Sequence, residues 1–183
     1  MIKKILLGAI VVIALVVVIF CVVVAMQPSH YHIERSAMVN APASVVFSQV
    51  NDFHKWDGWS PWAKLDPNMK TSYEGAPAGT GAMYSWTGND QVGQGRMTIT
   101  DSKPSEMVKI KLEFIKPWTA TNATDFVLSP QGNQTSVKWT MDGDNTFMGK
   151  AVGLFMNMDK MVGGDFEKGL AQMKAVAEAA AKS

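Results

Sequence analysis

The sequence is poor in the side chains that most often carry metal and thiol chemistry. Its 183 residues include a single cysteine, Cys21, and three histidines. Cys21 lies inside an apolar run, so the rest of the chain can form no disulfide, thiolate nucleophile or cysteine metal site. His30 and His32 share one face of a predicted strand and His54 is isolated, whereas a zinc site needs three or four converging ligands. We therefore predict no metal and no cofactor.

Several functional classes lack their sequence motifs as well. There is no nucleophile elbow, phosphate-binding loop or zinc-hydrolase motif, so no catalytic residue is assigned. The chain has 17 basic and 16 acidic residues, and no block or stripe of basic residues. Without Lys3 and Lys4 the remaining charges sum to −1. Nucleic acid is therefore not an expected partner.

One long apolar run dominates the beginning of the chain. Ile5 to Met26 contains no charged side chain, and as a helix it would span about 33 Å, enough to cross a bilayer core. Lys3 and Lys4 precede the run, and positive charge stays on the cytoplasmic side. We predict a single-pass membrane anchor over residues 1–27. The domain that follows, 28–183, is then expected outside the cytoplasm, in the periplasm of a Gram-negative cell.

A cleaved signal sequence is the alternative to a retained anchor. Its apolar region is usually about 7–15 residues long and ends in small residues. Val23-Val24-Ala25 would serve as a cleavage site, but the run before it is longer than that and rich in β-branched residues. We therefore expect the segment to be retained.

Alternation and turn residues predict a strand-rich domain. A strand over Tyr31–Val39 is followed by a short helix from Pro42 to Val50 and by a loop, Asn51–Pro67, dense in Trp, Asp, Gly and Pro. Turn residues separate six further strand candidates. These are Lys70–Glu74, Ala82–Thr87, Gly93–Asp101, Met107–Phe114, Thr119–Ser129 and Gln134–Asp142.

The chain closes with a long helical pattern, predicted from about Thr146 to Ala181. A mostly apolar set recurs at spacings of three or four and so shares one face: Phe155, Asp159, Val162, Phe166, Leu170, Met173 and Val176. Gly163-Gly164 interrupts the pattern and predicts a bend. The prediction is an antiparallel sheet covered by one long helix.

Several short motifs are spread over nearly all of residues 31–180. They are Arg35-Ser36-Ala37-Met38-Val39-Asn40-Ala41-Pro42, Val46-Phe47, Asn51-Asp52-Phe53-His54-Lys55-Trp56, Trp59-Ser60-Pro61-Trp62, Tyr84-Ser85-Trp86-Thr87-Gly88, Gly93-Gln94-Gly95-Arg96-Met97 and Met158-Asp159-Lys160-Met161-Val162-Gly163. Together these motifs resemble the polyketide cyclase/dehydrase group of the START-like (SRPBCC) superfamily. The resemblance implies an α+β helix-grip (START/Bet v 1-like) fold, in which a seven-stranded antiparallel sheet wraps the last helix around a cavity. Members include hydrolases, cyclases, hormone receptors and lipid carriers, so the fold does not decide the function.

Strand alternation selects the residues that would face such a cavity, either as pocket lining or as packed core. This inward set is Tyr84, Trp86, Met97, Ile99, Val108, Ile110, Leu112, Phe114, Phe126, Leu128, Val137, Trp139 and Met141. Asn122 and Thr124 share the same parity and are candidate polar contacts. Arg35 also has inward parity, and it would pair with a carboxylate such as Asp159, hold an acidic ligand head, or reach solvent.

Trp56, Trp59 and Trp62 lie in the loop and would pack on the domain, gate the cavity or touch lipid. Thirteen methionines, several on the last helix, suit either an adaptable pocket or plain core filling. The predicted ligand-binding residues are Arg35, Trp59, Trp62, Tyr84, Trp86, Met97, Asn122, Trp139, Met141 and Asp159.

Three functions remain open at this point. The first is membrane-tethered binding of a hydrophobic small molecule or lipid in an interior cavity, which we favour. The second is a cyclase- or dehydrase-type enzyme acting on an apolar substrate, with Arg35, Tyr84, Asn122 and Asp159 as its polar groups. The third is a non-catalytic envelope module that binds a partner through the tryptophan loop. The sequence does not indicate an oligomeric state.

Overall fold

A computed structural model describes residues 2–182, so Met1 and Ser183, the outermost residues of the predicted segments 1–27 and 28–183, lie outside it. The chain forms two compact units. One contains the residues up to Tyr31 together with Asn145–Asn157. The other contains His32–Asp144 and the residues from Met158 onward.

The first unit consists of two helices, α1 (Ile2–Ala25) and α3 (Phe147–Gly153). In α1, residues Lys3–Ala25 are long and apolar enough to cross a membrane, and almost all of that stretch is exposed. A membrane anchor has this length and composition, and a signal sequence near the N-terminus passes the same criterion although its apolar region is usually shorter. Near its end α1 contacts α3, and Val24 is fully buried.

The second unit is built on a seven-stranded antiparallel sheet, which confirms the predicted fold class, and the strands follow the order β1-β7-β6-β5-β4-β3-β2. The strands are β1 (His30–Val39), β2 (Lys70–Gly75), β3 (Ala82–Thr87), β4 (Gln94–Lys103), β5 (Met107–Lys116), β6 (Ala120–Gln131) and β7 (Gln134–Asp144). Side-chain alternation places the apolar residues on one face, here called the inner face, because successive strand residues point to opposite sides.

The loop after helix α2 (Ala43–Val50) returns to the domain instead of extending into solvent. A 3-10 helix over Phe53–Gly58 starts it, and the indole nitrogens of two tryptophans donate to carbonyls at the end of α2. Trp56 Nε1 lies 3.0 Å from Val50 O, and Trp59 Nε1 lies 3.1 Å from Gln49 O. Both rings are buried, so the aromatic residues of the loop extend the core.

Helix α4 (Met158–Ala180) covers the inner face. Its buried residues recur at helical spacing and form one apolar stripe. They are Gly163, Phe166, Gly169, Leu170, Met173 and Ala177. The stripe rests on the sheet through Phe166, whose ring stacks on Trp139 of β7 with the centroids 4.0 Å apart.

The prediction of one helix from Thr146 to Ala181, bent at Gly163-Gly164, was wrong in two respects. Helix α3 ends at Gly153 and α4 begins at Met158, so the break falls at residues 154–157. Both glycines lie inside α4. Gly163 leaves room there for the side chain of Arg35, which comes from β1. Phe155, at helical spacing from the core positions of α4, is 80% exposed within the break. The prediction was wrong because the helical spacing of apolar residues continues across residues 154–157.

Candidate functional site

The inner face is organised in rows of residues that pair across the strands. Tyr84, Met97, Leu112 and Asn122 lie side by side in one row. The next row, towards the end of the sheet at which β1 begins, contains Trp86, Gly95, Phe114 and Ala120. We call these two the open rows. Ile99, Ile110, Thr124 and Met141 form the row on the other side, and Val108, Phe126 and Trp139 the row beyond it.

Burial changes sharply along the strands. Every side chain in the two deeper rows is buried. In the open rows, by contrast, four large apolar side chains are only half-buried: Trp86, Met97, Leu112 and Phe114. The inward orientation predicted for these strands is therefore matched throughout, but the apolar surface that remains in contact with water is concentrated at one end of the inner face.

Stacked aromatic rings fill the deeper part of the inner face. Trp139 stacks on Phe126 at 4.7 Å as well as on the ring from α4, and Trp59 meets both strand rings edge-on at about 6 Å. Trp59 is 1% exposed and Trp139 is 2% exposed. These two predicted ligand contacts are thus packed core. Trp62, the third tryptophan of the loop motif, is half-buried over the edge of the same cluster.

A glycine positions Trp86, the tryptophan of the open rows. Gly95 of β4 is paired with Trp86 of β3, and a Cβ on Gly95 would overlap the six-membered ring of the indole. The ring therefore lies across the neighbouring strand, with Tyr84 stacked on one side and Phe114 edge-on at 6.1 Å. Its Nε1 donates to Val92 O at 2.9 Å, which fixes the ring's orientation.

Polar groups are few on the inner face. Asn122 is 4% exposed and stands in an open row, at the border with the deeper rows. Tyr84 stands at the other end of that row, and burial raises the pKa of its hydroxyl. Thr124 lies one row deeper, where Oγ1 donates to Thr140 O at 2.7 Å and accepts from Trp139 Nε1 at 2.9 Å. That hydroxyl serves the packing of the core.

Arg35 directs its charge towards α4. Its guanidinium is held by two carboxylates of α4: Nε donates to Glu167 Oε1 at 2.7 Å, and Nη1 and Nη2 donate to the two oxygens of Asp159 at 3.0 and 3.1 Å. These bonds raise the pKa of Arg35 and lower that of Asp159. The predicted pairing with Asp159 is present, and the sequence reading missed Glu167, which follows Asp159 by about two helical turns.

A small residue on α4 makes this ion pair possible. The Arg35 side chain crosses the helix at Gly163, where a Cβ would overlap the guanidinium. The side chain is 24% exposed, so water screens the pair only in part. Arg35 therefore fastens β1 to the first half of α4, and two of the predicted ligand-binding residues, Arg35 and Asp159, are engaged in that contact.

Polar side chains surround a separate depression on the outer face of the sheet. It has a volume of about 320 Å³, is wide open, and is lined on β5 and β6 by Lys109, Lys111, Thr121 and Asp125 among others. Burial raises the pKa of Asp125, and Lys109, its cross-strand neighbour, opposes that shift. Ile110 and Asn122, which have inward parity, also line this depression, whereas Lys109, Lys111, Thr121 and Asp125 have outward parity and were not predicted as ligand contacts.

Two histidines pair with acidic side chains, His32 across the sheet and His54 within its own turn. His32 Nδ1 lies 2.7 Å from Asp142 Oδ1, and this hydrogen bond is the largest cause of a raised His32 pKa. His54 pairs with Asp52 at 2.9 Å. Over residues 2–182, no group of three or more His, Cys, Asp or Glu side chains is arranged to hold a metal ion.

Solved structures with the same fold come from several sources. A protein from Chromobacterium violaceum superimposes with a TM-score of 0.58 at 13% identity, covering 83% of this chain and 99% of the other. The protein named Ara h 8.0201 gives a TM-score of 0.54 at 10% identity, covering 81% of this chain and 97% of the other. The di-domain ARO/CYC StfQ from the steffimycin biosynthetic pathway gives 0.60 at 11% identity, covering 85% of this chain and 53% of StfQ. At these identities the likeness shows the fold alone.

The family is shown by the sequence itself. No curated protein matches the chain. A family model described as polyketide cyclase / dehydrase and lipid transport, however, matches residues 30–178, which is most of the chain. The match includes all seven strands and nearly the whole of α4. The protein therefore belongs to the polyketide cyclase/dehydrase and lipid transport family of the SRPBCC superfamily.

Proposed function

We propose that the protein binds a hydrophobic small molecule or lipid against the open rows of the inner face, while α1 tethers it to a membrane. The observation that carries this proposal is the half-buried set Trp86, Met97, Leu112 and Phe114. Burying apolar surface is worth about 25 cal/mol for each Å² removed from water. An apolar ligand laid across these four side chains would gain that free energy without disturbing the stacked rings behind them.

The polar residues nearby would set the orientation of the ligand. Asn122 stands at one end of an open row, and Tyr84 carries a hydroxyl at the opposite end of the same row. A mostly apolar pocket with a few placed polar groups is the usual composition of a small-molecule site. We expect the occupant to be largely hydrophobic, with one polar group directed towards Asn122.

The proposal of a membrane tether is based on α1 and on the residues that flank it. Lys3–Ala25 has the length and composition of a membrane span, and Lys3 and Lys4 favour a cytoplasmic start. Only residues 26–29 separate α1 from the first strand. Retention of α1 would therefore keep the domain beside the bilayer, on its extracytoplasmic side, where hydrophobic ligands are concentrated.

The structure gives less support to the two alternatives. An enzyme would need polar groups that converge at one place on the substrate. Arg35 and Asp159 neutralise each other, and Tyr84 and Asn122 stand three strand spacings apart, about 14 Å. An interaction module using the tryptophan loop would need exposed rings, but only Trp62 of the loop motif is partly exposed.

Binding can be tested on the full chain purified in detergent. Native mass spectrometry should detect a co-purified lipid, and a fluorescent fatty acid should bind with saturation. Phe114→Ala and Leu112→Ala should each weaken binding, about tenfold if 1.4 kcal/mol of contact is lost. Val127→Ala is the matched control, because Val127 is an apolar residue of β6 on the outer face and is 40% exposed. Equal affinity in all three variants would contradict the proposal.

A second variant tests the same site without removing packing. Met97→Trp would add bulk to an open row and should block the probe while leaving the thermal midpoint close to that of the native chain. The tether is tested separately, by extraction of membranes with alkaline carbonate. Release of the protein would contradict the tether and leave the binding site standing, so the two parts of the proposal can fail independently.

A further inference from the structure

Helix α3 and the residues after it expose an apolar surface that the proposed function does not use. We call it the α3 face and define it by five side chains: Phe147, Met148, Val152, Phe155 and Met156. All five are exposed, Met148 by 66% and Phe155 by 80%. Large apolar side chains clustered in this way usually mark a surface that another body covers.

Hydrogen bonds hold this segment close to the end of α1. The backbone N–H of Asn145 donates to Ser29 O at 2.9 Å, and its side-chain amide donates to Pro28 O at 3.2 Å. Lys150 Nζ donates to Ser29 Oγ at 2.8 Å. Helix α1 ends at Ala25, four residues before Ser29. Four residues span at most about 14 Å, so Ser29 lies within that distance of the end of α1.

The composition of the segment indicates which kind of partner covers the α3 face. Between residues 145 and 157 the only charged side chain is Lys150, and there is no acidic residue. Asparagines stand at both ends of the segment, at 145 and 157, with the apolar side chains between them. Segments that lie in a bilayer interface have this character, with apolar side chains, basic charge and polar ends. A surface for a charged protein partner would need complementary charges that this segment does not supply.

We propose that the α3 face inserts into the lipid surface as a second, interfacial membrane contact beside the span. The inference rests on the proposed tether, since α1 must be retained for its last turn to mark the edge of the hydrocarbon. Contact between α1 and α3 then places the α3 face at the level of the headgroups. The segment between β7 and α4 thereby acts as a surface-lying anchor that limits rocking of the chain about α1.

Native methionines can report this contact. The full chain is labelled with ¹³C at the methionine methyl groups and placed in lipid nanodiscs, and each signal is assigned by a single Met→Leu substitution. A headgroup nitroxide lipid should broaden the signals of Met148 and Met156, and a water-soluble gadolinium chelate should spare them. Met38 of β1 is the matched control, since it is 38% exposed against 44% for Met156. Its signal should behave in the opposite way. Double substitution Val152→Asp and Phe155→Asp should abolish the broadening at Met148.

The possible results separate this inference from the tether. If Met148 and Met156 are broadened by the aqueous chelate and not by the lipid, the α3 face points to water and the inference is overturned. If they are spared by both agents, protein covers the face, and the inference is overturned as well. Met26, which follows α1, reads out the tether: the loss of lipid contact at Met26 would refute both ideas together.

Discussion

Two adjacent glycines of α4 are expected to respond differently to the same substitution. A Cβ at Gly163 would overlap the guanidinium of Arg35, whereas a Cβ at Gly164 meets no atom within 4 Å. Replacing glycine by alanine inside a helix favours folding by about 1 kcal/mol. Gly164→Ala should therefore stabilise the chain by about that amount.

At Gly163 the same gain is opposed by the displacement of Arg35. Overpacking in a well-packed site costs roughly 1–3 kcal/mol. Gly163→Ala should thus range from neutral to a net loss of about 2 kcal/mol. The two variants should therefore differ in free energy of unfolding by about 1–3 kcal/mol. Because both gain the same helix propensity, this difference measures the cost of the overlap with Arg35 alone.

The assay is urea unfolding of the full chain in detergent, followed by tryptophan fluorescence. Repeating both substitutions in an Arg35→Ala background completes the test, because the overlap is then absent and Gly163→Ala should become as stabilising as Gly164→Ala. The reasoning would be refuted by equal midpoints for the two variants in the native background. A gap that persists without Arg35 would refute it equally.

Three further outcomes follow from single contacts. The pKa of His32, followed by NMR titration, should exceed 6.5 and should fall when Asp142→Asn removes its main partner. Because the folded-state pKa is raised, this pair stabilises the fold below about pH 6.5 and its contribution disappears as the pH rises through the folded-state pKa. Trp139→Ala should lower the free energy of unfolding by about 3–5 kcal/mol in calorimetry, since the stacked ring is replaced by a cavity. Gly95→Ala should displace the Trp86 ring and weaken fatty-acid binding, and unchanged indole fluorescence and affinity would contradict this.

Much of the fold is encoded locally and could be predicted. Alternation in β5 from Met107 to Phe114 gives the correct strand and the correct inner face, because the period of two is independent of distant contacts. The turn after β6 is equally local, since Gly132 adopts a positive φ of 62° that suits glycine. The predicted strand ends differ from the observed ends by at most two residues.

The parts that could not be predicted depend on residues far apart in the sequence. Burial at Trp59 is set by rings from β6 and β7, and the glycine at 163 is explained only by an arginine 128 positions earlier. Alternation also cannot tell a half-buried residue from a fully buried one. It placed Leu112 and Ile110 in the same inward set, although the structure leaves only Leu112 partly accessible. The break before α4 was hidden because its apolar spacing continues.

The graded burial of the inner face has a consequence for the size of any guest. Adjacent rows along a strand are two residues apart, about 7 Å, and the third row inward is already closed by Ile99, Ile110 and Met141. A ligand lying across the open rows could therefore extend along the strands by roughly the width of one fused ring system before it contacts the buried side chains of the third row. Compact, flat molecules would be sheltered almost entirely, whereas an extended acyl chain would leave much of its length outside.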